Sequence, residues 1–255
     1  MTRVLFGFLA AALFGVTGAH AETYRLQYQA VILGGVVLGD VSYEVTSNAA
    51  SYGVRASVRT AGAAQIFDQT QISATTGGAI AGNGLVWGRY DLTDAYAGHK
   101  FRRTQMTHAG AAVTSQVTPR YTDMGRPPAT AGQQSGSYDP LTAIFALGRQ
   151  IGAARACSAS VLVFDGRQHY RLTVTPRSQG NFSGGGYNGP SLTCAFSYQP
   201  IAGFTLTPQQ RAHIPQAEAI FALPAQPGFA APLRLSALTP VGTAQLDIRS
   251  YQKTN

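Results

Sequence analysis

The chain is poor in the residues from which chemical sites are usually assembled. Of 255 residues, two are cysteine, three methionine and one tryptophan, and Lys100 and Lys253 are the only lysines. Past the N-terminal segment the histidines are His99, His108, His169 and His213. None of them forms H-x-H, H-x-x-x-H or H-E-x-x-H, so no metal-ligand spacing is visible. Ser42, Ser160 and Ser197 lack the G-x-S-x-G elbow of a hydrolase. The glycine-rich run from Ser183 to Tyr187 lacks the G-K-[ST] ending of a phosphate loop, and no helical pattern follows it. These absences exclude a locally encoded metal, acyl-transfer or nucleotide site. They imply no cofactor, and they leave catalysis only to residues distant in sequence.

What is present begins with an export signal. Arg3 precedes an apolar run, Val4 to Val16, and Ala19-His20-Ala21 stands ahead of Glu22. A positive start, a short apolar stretch and an A-x-A site predict a signal peptide over residues 1–21. The run is short of the about 20 residues that a membrane helix needs, and no later run is longer. Residues 22–255 are therefore expected as one periplasmic domain with no transmembrane segment. The formal charge is +8, or +7 without Arg3, and it is carried almost wholly by arginine. Outside the cytoplasm such a balance favours lipid headgroups or other envelope components over nucleic acid. Cys157 and Cys194 would meet an oxidising compartment, where two thiols most often form one disulfide. Closing that loop would stabilise the fold by roughly 3–5 kcal/mol in the chain-entropy account.

Alternation fills the N-terminal half. Val37, Gly39, Val41, Tyr43 and Val45 share one strand face, and Tyr52, Val54, Ala56 and Val58 share the next, across a turn at Ser47–Ala50. Period-two patterning of this kind predicts antiparallel strands with one wet face. It continues through 66–75, 85–92, 100–107 and 113–121, with breaks at Gly77-Gly78, Gly82-Asn83-Gly84, Ala97-Gly98 and Ala109-Gly110. Turn signals about every ten residues between β-rich runs predict a meandering sheet curved into an open barrel or sandwich. Residues 125–136, with Pro127-Pro128, Gln133-Gln134 and Ser135, read as a polar loop of poor order.

One helix is expected, near 139–151. Asp139 suits an N-cap and Pro140 the first helical position. Leu141, Ile144, Phe145 and Gly148 follow at helical spacing to Ile151, and Gly152 ends the run. Val161 to Phe164 is apolar throughout, as in a strand buried on both faces. Asp165-Gly166 is a hairpin turn, and Tyr170, Leu172 and Val174 alternate after it. Ser183–Gly189 reads as a flexible connection, and Pro200–Phe204 as a turn. Further strands are expected at 192–198, 218–223, 233–238 and 243–251.

Three motifs carry a resemblance: Tyr138-Asp139-Pro140-Leu141-Thr142-Ala143, then Phe164-Asp165-Gly166-Arg167 with Tyr170, then Tyr198-Gln199-Pro200-Ile201-Ala202-Gly203-Phe204. In this order they resemble the exported bacterial family catalogued as domain of unknown function 3108, over about Tyr24 to Tyr251. The resemblance implies one mostly antiparallel β domain of the cell envelope and brings no catalytic residue with it.

Asp139 and Asp165 have local explanations as cap and turn, which outweigh a paired-carboxylate role. The segment from Trp87 to His108 interleaves aromatic and basic residues. Trp87, Arg89, Tyr90, Phe101, Arg102 and Arg103 are the candidate surface for a ligand or partner. Small inward residues, Gly39, Ala56 and Ala74, would allow a cavity between sheet and helix. Three readings result, in order. The first is an envelope protein binding an apolar or amphipathic ligand such as a lipid, with the helix as one wall. The second is a module docking on another envelope component, and the third is a hydrolase of envelope polymer.

Overall fold

A computed structural model describes residues 21–32, 35–66, 69–96, 100–207, 210, 214, 216–239 and 242–254. Residues 1–20 of the expected signal peptide lie outside these, as do His99 and His213. The strands are β1 (Glu22–Ile32), β2 (Val36–Ser47), β3 (Ser51–Thr60), β4 (Gln71–Ala81), β5 (Gly84–Tyr96), β6 (Lys100–Ala109) and β7 (Ala112–Thr118). Two helices follow among the described residues, α1 (Ala131–Ser135) and α2 (Pro140–Ala154). Then come β8 (Ala159–Phe164), β9 (His169–Gly184), β10 (Tyr187–Ala202), β11 (Ala217–Ala222), β12 (Pro232–Thr239) and β13 (Gly242–Thr254).

All thirteen strands form one antiparallel sheet in the order β7-β6-β5-β4-β3-β2-β1-β13-β12-β11-β10-β9-β8. The described chain enters at mid-sheet with β1, meanders out to β7, crosses through the helices to the opposite edge at β8, and meanders back. The last strand pairs with the first, Tyr24 opposite Lys253 and Tyr28 opposite Ile248. The sheet curls without closing: β7 and β8 are its two edges, and between them runs a seam. This is the mainly β, open-barrel architecture that the alternation predicts.

α2 stands in the concavity. Its N-cap is Asp139 and Pro140 occupies the first turn, as the sequence predicts; the helix ends at Arg155, in the left-handed region at φ 52°. Nine of its fifteen residues are buried, among them Leu141, Phe145, Leu147 and Ile151. Burying each such large side chain contributes about 1.5–3 kcal/mol before entropy is counted. Phe145 packs on Tyr52 of β3 and on Phe229, at ring-centroid distances of 5.2 and 5.4 Å. Gly148 and Gly152, one helical turn apart, let the β11–β12 connection cross the helix. A Cβ on Gly148 would lie 2.3 Å from Phe229 Cε2, and one on Gly152 1.9 Å from the Gly228 carbonyl oxygen. Behind the helix the Cys157–Cys194 disulfide ties the segment leaving α2 to β10.

Several local expectations change. Gly77-Gly78 lies inside β4 rather than in a turn. It accommodates a bulge, because Gly77 pairs with Arg89 and Gly78 with Trp87, so Gly88 is left without a partner. The strand expected at 66–75 starts only at Gln71, after a 3₁₀ turn at Gly62–Ile66. The strand expected to reach Tyr121 ends at Thr118. The glycine-rich run is a tight hairpin tip, not a loose connection: Gly185 and Gly186, at φ 57° and 82°, join two long strands. Its tip bends over the sheet, where Tyr251 N–H donates to the Gly185 carbonyl at 2.6 Å. Pro200 belongs to β10, which runs to Ala202. The polar segment 125–136 carries the second helix, α1, which Thr130 and Gln133 cap reciprocally.

The crossing glycines give a direct check. Gly152→Ala is expected to destabilise by about 3 kcal/mol or more, because its Cβ meets backbone that cannot swing away. Gly180→Ala, with nothing within 4 Å of a Cβ, should stay within about 0.5 kcal/mol. Urea denaturation of both variants makes the comparison, and equal effects would contradict the helix position.

Candidate functional site

The six residues of the candidate surface divide by strand face. Trp87 and Tyr90 are buried, at 1% and 2% exposure, and both point inward although three positions apart, because the bulge at Gly88 resets the alternation. Trp87 donates its indole N–H to the Ser137 carbonyl at 2.9 Å and stacks on His108. Arg102 faces inward on the neighbouring strand. Arg89, Phe101 and Arg103 face out: Phe101 is 52% exposed, and Arg103 binds Asp91 through two nitrogens at 3.0 and 2.7 Å. One linear cluster is thus two separate sets.

The Tyr138–Thr142 motif is an anchoring point. Asp139 is fully buried; Oδ1 accepts from the N–H groups of Leu141 and Thr142 at 3.0 and 3.1 Å, and Oδ2 from the hydroxyls of Thr76 and Thr142 at 2.9 and 2.5 Å. Tyr52 reaches the Thr142 hydroxyl at 3.0 Å. The helix start is thereby fixed to β3 and β4, and the concave face expected to hold a ligand is taken up by α2 itself. Burial pushes the Asp139 carboxyl up, against the hydrogen bonds that lower it. Asp165 is raised too, mainly by burial, while accepting from the N–H groups of Arg167 and Gln168 at 2.9 and 2.7 Å. Among the described residues no group of three His, Cys, Asp or Glu side chains is placed to hold a metal.

The seam has a different character. On one side Tyr138 pairs with β8, donating to Leu162 and accepting from Phe164 at 2.9 and 2.8 Å. The strap 119–130 then runs beside it. Gly125 and Gly203, at φ 80° and 81°, let three backbone segments pass closely: Arg126 N–H donates to the Phe204 carbonyl at 3.0 Å and Gly203 N–H to that of Pro127 at 2.7 Å. The β8–β9 turn reaches across, so that a Cβ on Gly166 would lie 2.7 Å from Thr104 Cγ2. Here an open cleft of about 680 Å³ remains, lined by Ser115, Val117, Arg120, Tyr121, Met124 and Phe164, among others. Met124 is 45% exposed at its surface and Phe164 is 1% exposed at its floor.

Positive charge gathers around the Tyr121 ring. Arg102 Cζ lies 4.2 Å from its centroid and Arg167 Cζ 5.2 Å. Such contacts are worth about 0.5–2 kcal/mol each and spread no negative charge of their own. Val117, Met124 and Phe164 among polar Ser115, Gln116 and Gln134, with basic groups beside Tyr121, suit an amphipathic anion. Arg120, Tyr121, Met124 and Phe164 were not picked out for a site from the sequence. The signal was available in part, since Arg167 follows Asp165-Gly166 in a quoted motif; the approach of the strap to that motif is a tertiary event.

Comparisons with known proteins agree with this architecture. The family described as "Protein of unknown function (DUF3108)" matches residues 23–249. No curated protein matches. The solved structure titled "Crystal Structure of Beta-barrel-like Protein of Domain of Unknown Function DUF1849 from Brucella abortus" is similar in fold, with a TM-score of 0.55. It shares 10% identity over 91% of this chain and 98% of its own. At that identity the likeness concerns fold alone.

The buried acids predict a pH dependence. Because their folded values are raised, both carboxyls bind protons more tightly folded than unfolded. Their contribution therefore falls as pH rises from about 3.9 towards the folded values. Asp139→Asn should shrink the stability difference between pH 4 and pH 7. Asp139→Ala strands four donors and should cost about 2–4 kcal/mol. Urea titrations at both pH values test this, and a loss under 1 kcal/mol for the alanine variant would contradict the anchoring role.

Proposed function

The chain belongs to the DUF3108 family of proteins of unknown function, and from that premise we propose that it is an exported, non-catalytic envelope protein holding an amphipathic, lipid-like ligand in the cleft at the seam of its sheet. The observation that carries this reading is the cleft itself. Its volume of about 680 Å³ falls in the range of about 300–1,000 Å³ that serves small-molecule ligands. Val117, Met124 and Phe164 supply an apolar wall, and Arg120 and Tyr121 supply a polar rim. The location supports the reading as well, because a seam between two sheet edges can widen without breaking a ladder of hydrogen bonds.

Export is supported by the N-terminal pattern at Arg3, Val4–Val16 and Ala19-His20-Ala21, and by a disulfide suited to an oxidising compartment. No described helix is long and apolar enough to cross a membrane. Docking on another envelope component is a second reading, favoured by one observation: Phe101 is 52% exposed on the outer face. An exposed aromatic flanked by Arg103 suits a partner surface.

Native mass spectrometry of gently purified protein separates the two. The ligand reading predicts co-purified lipid on the wild type, and its loss from Met124→Glu, a change at a site exposed enough to be tolerated. A wild type that is always free of lipid overturns it. The docking reading predicts that Phe101→Ala abolishes partner capture while any bound lipid stays.

A further inference from the structure

Beside the seam cleft, around the Tyr121 ring that lines it, lies a more specific chemistry. Three elements converge there: Arg102 comes from β6, Arg167 from the β8–β9 turn, and Tyr121 from the strap. Two like charges at one ring repel unless something negative sits between them. Among the described residues no carboxylate lies in ion-pair distance of Arg102, Arg120 or Arg167, whereas Arg25, Arg89, Arg103, Arg234 and Lys253 all have such partners. Of the nearby acids, Asp165 lies close enough to Arg167 for their charges to interact without an ion pair, and Asp94 Oδ1 is itself buried without a hydrogen-bond partner. Asp165 turns its carboxyl to the backbone N–H groups of the turn. Asp123 accepts from Gly125 N–H at 2.8 Å. Asp94 stands opposite Arg102 in the β5–β6 register without forming a pair.

The donors are also incomplete. Arg102 Nε and Arg167 Nε are both buried from solvent, and neither has a hydrogen-bond partner. A buried unmade bond to a charged donor is costly, and native structures rarely leave such groups unpaired. Elsewhere on the sheet the guanidinium Nε atoms are used: Arg25 bonds Glu44 at 2.9 Å and Arg103 bonds Asp91 at 3.0 Å.

We propose that Arg102 and Arg167, set about Tyr121 from opposite sides of the seam, bind a phosphate group. A carboxylate, with two oxygens, is satisfied by one guanidinium fork; a phosphate has enough oxygens and charge to accept from two forks at once. The phosphate is either a free ion or the head of the amphipathic ligand. In the second case the inference rests on the cleft reading, with the acyl portion lying towards Val117, Met124 and Phe164. Anion binding then draws the β6 side, the strap and the β8–β9 turn together, and ligand closes the seam.

Calorimetric titration with three probes tests this: inorganic phosphate, dihexanoyl phosphatidic acid and the neutral dihexanoylglycerol. The proposal expects saturable phosphate binding and phosphatidic acid binding at least about tenfold tighter than the neutral glyceride. In Arg102→Gln/Arg167→Gln, phosphate binding should vanish and phosphatidic acid should fall to the glyceride's level. Retention of tight phosphatidic acid binding by that variant overturns the anion site and leaves the cleft reading standing. Phosphate binding with no binding of either lipid supports the anion site and overturns the cleft reading. No binding of any probe overturns both. Should the double variant fail to fold, the wild type answers alone. The Nε–H resonances of Arg102 and Arg167, assigned through single Gln variants, should shift saturably with phosphate and not with equal ionic strength of chloride. Unmoved resonances overturn the proposal.

Discussion

A sheet that curls without closing has two raw edges and one apolar hollow, and each must be covered. In this protein the covering of the hollow and of one edge depends on Asp139. Its two carboxyl oxygens take four donors, three from Leu141 and Thr142 in the first turn of α2 and one from the Thr76 hydroxyl on β4. That contact sets where the helix enters. From there Phe145 reaches Tyr52, and Gly148 and Gly152 meet the β11–β12 connection. Just before it Tyr138 pairs with β8 and masks that edge. Placing a carboxyl in an apolar interior is costly, and full hydrogen bonding is what makes the position tolerable.

The same arrangement accounts for the position of the cleft. With α2 in the hollow, the middle of the concave face is packed, smaller clefts flank the helix, and the seam keeps an open cleft of about 680 Å³. The strap that crosses it is held by backbone bonds at Arg126 and Gly203, not by a continuous ladder. Glycines at 125 and 203 let backbone segments approach where any side chain would collide, and Gly166 lets the β8–β9 turn approach the Thr104 side chain. The family motifs around Asp165-Gly166-Arg167 and Ile201-Ala202-Gly203-Phe204 meet at this crossing, although more than thirty residues separate them in sequence. The disulfide between Cys157 and Cys194 ties the segment between α2 and β8 to β10.

Much of the fold was legible in the chain because one physical signal dominates it. Alternation of Tyr43 and Val45, or of Tyr52 and Val54, reports a strand with one buried face, and the turn residues between such runs report an antiparallel meander. The Asp-Pro start of α2 and the Asp-Gly hairpin were legible for the same local reason. Glycine was misleading in two ways, once where its role is steric and once where its positive φ makes a tight tip. Gly77-Gly78 and Ser183–Gly189 read as breaks, yet the first is a strand passing close to β5 and the second a two-residue tip. The bulge at Gly88 reversed the facing of Trp87 relative to a strict alternation, which is why one apparent aromatic and basic surface became an inner and an outer set. The cleft was the least legible part, since Arg102, Tyr121 and Arg167 meet only after the sheet has curled.

The central claim is that ligand enters at the seam and leaves the helix-filled hollow undisturbed. Hydrogen–deuterium exchange with and without dihexanoyl phosphatidic acid tests it most directly. The account predicts new protection confined to residues 101–106, 115–126 and 164–168, with α2 and β2 to β5 unchanged. Protection centred on α2 and the inner face of β3 and β4, with the strap unaffected, would contradict it.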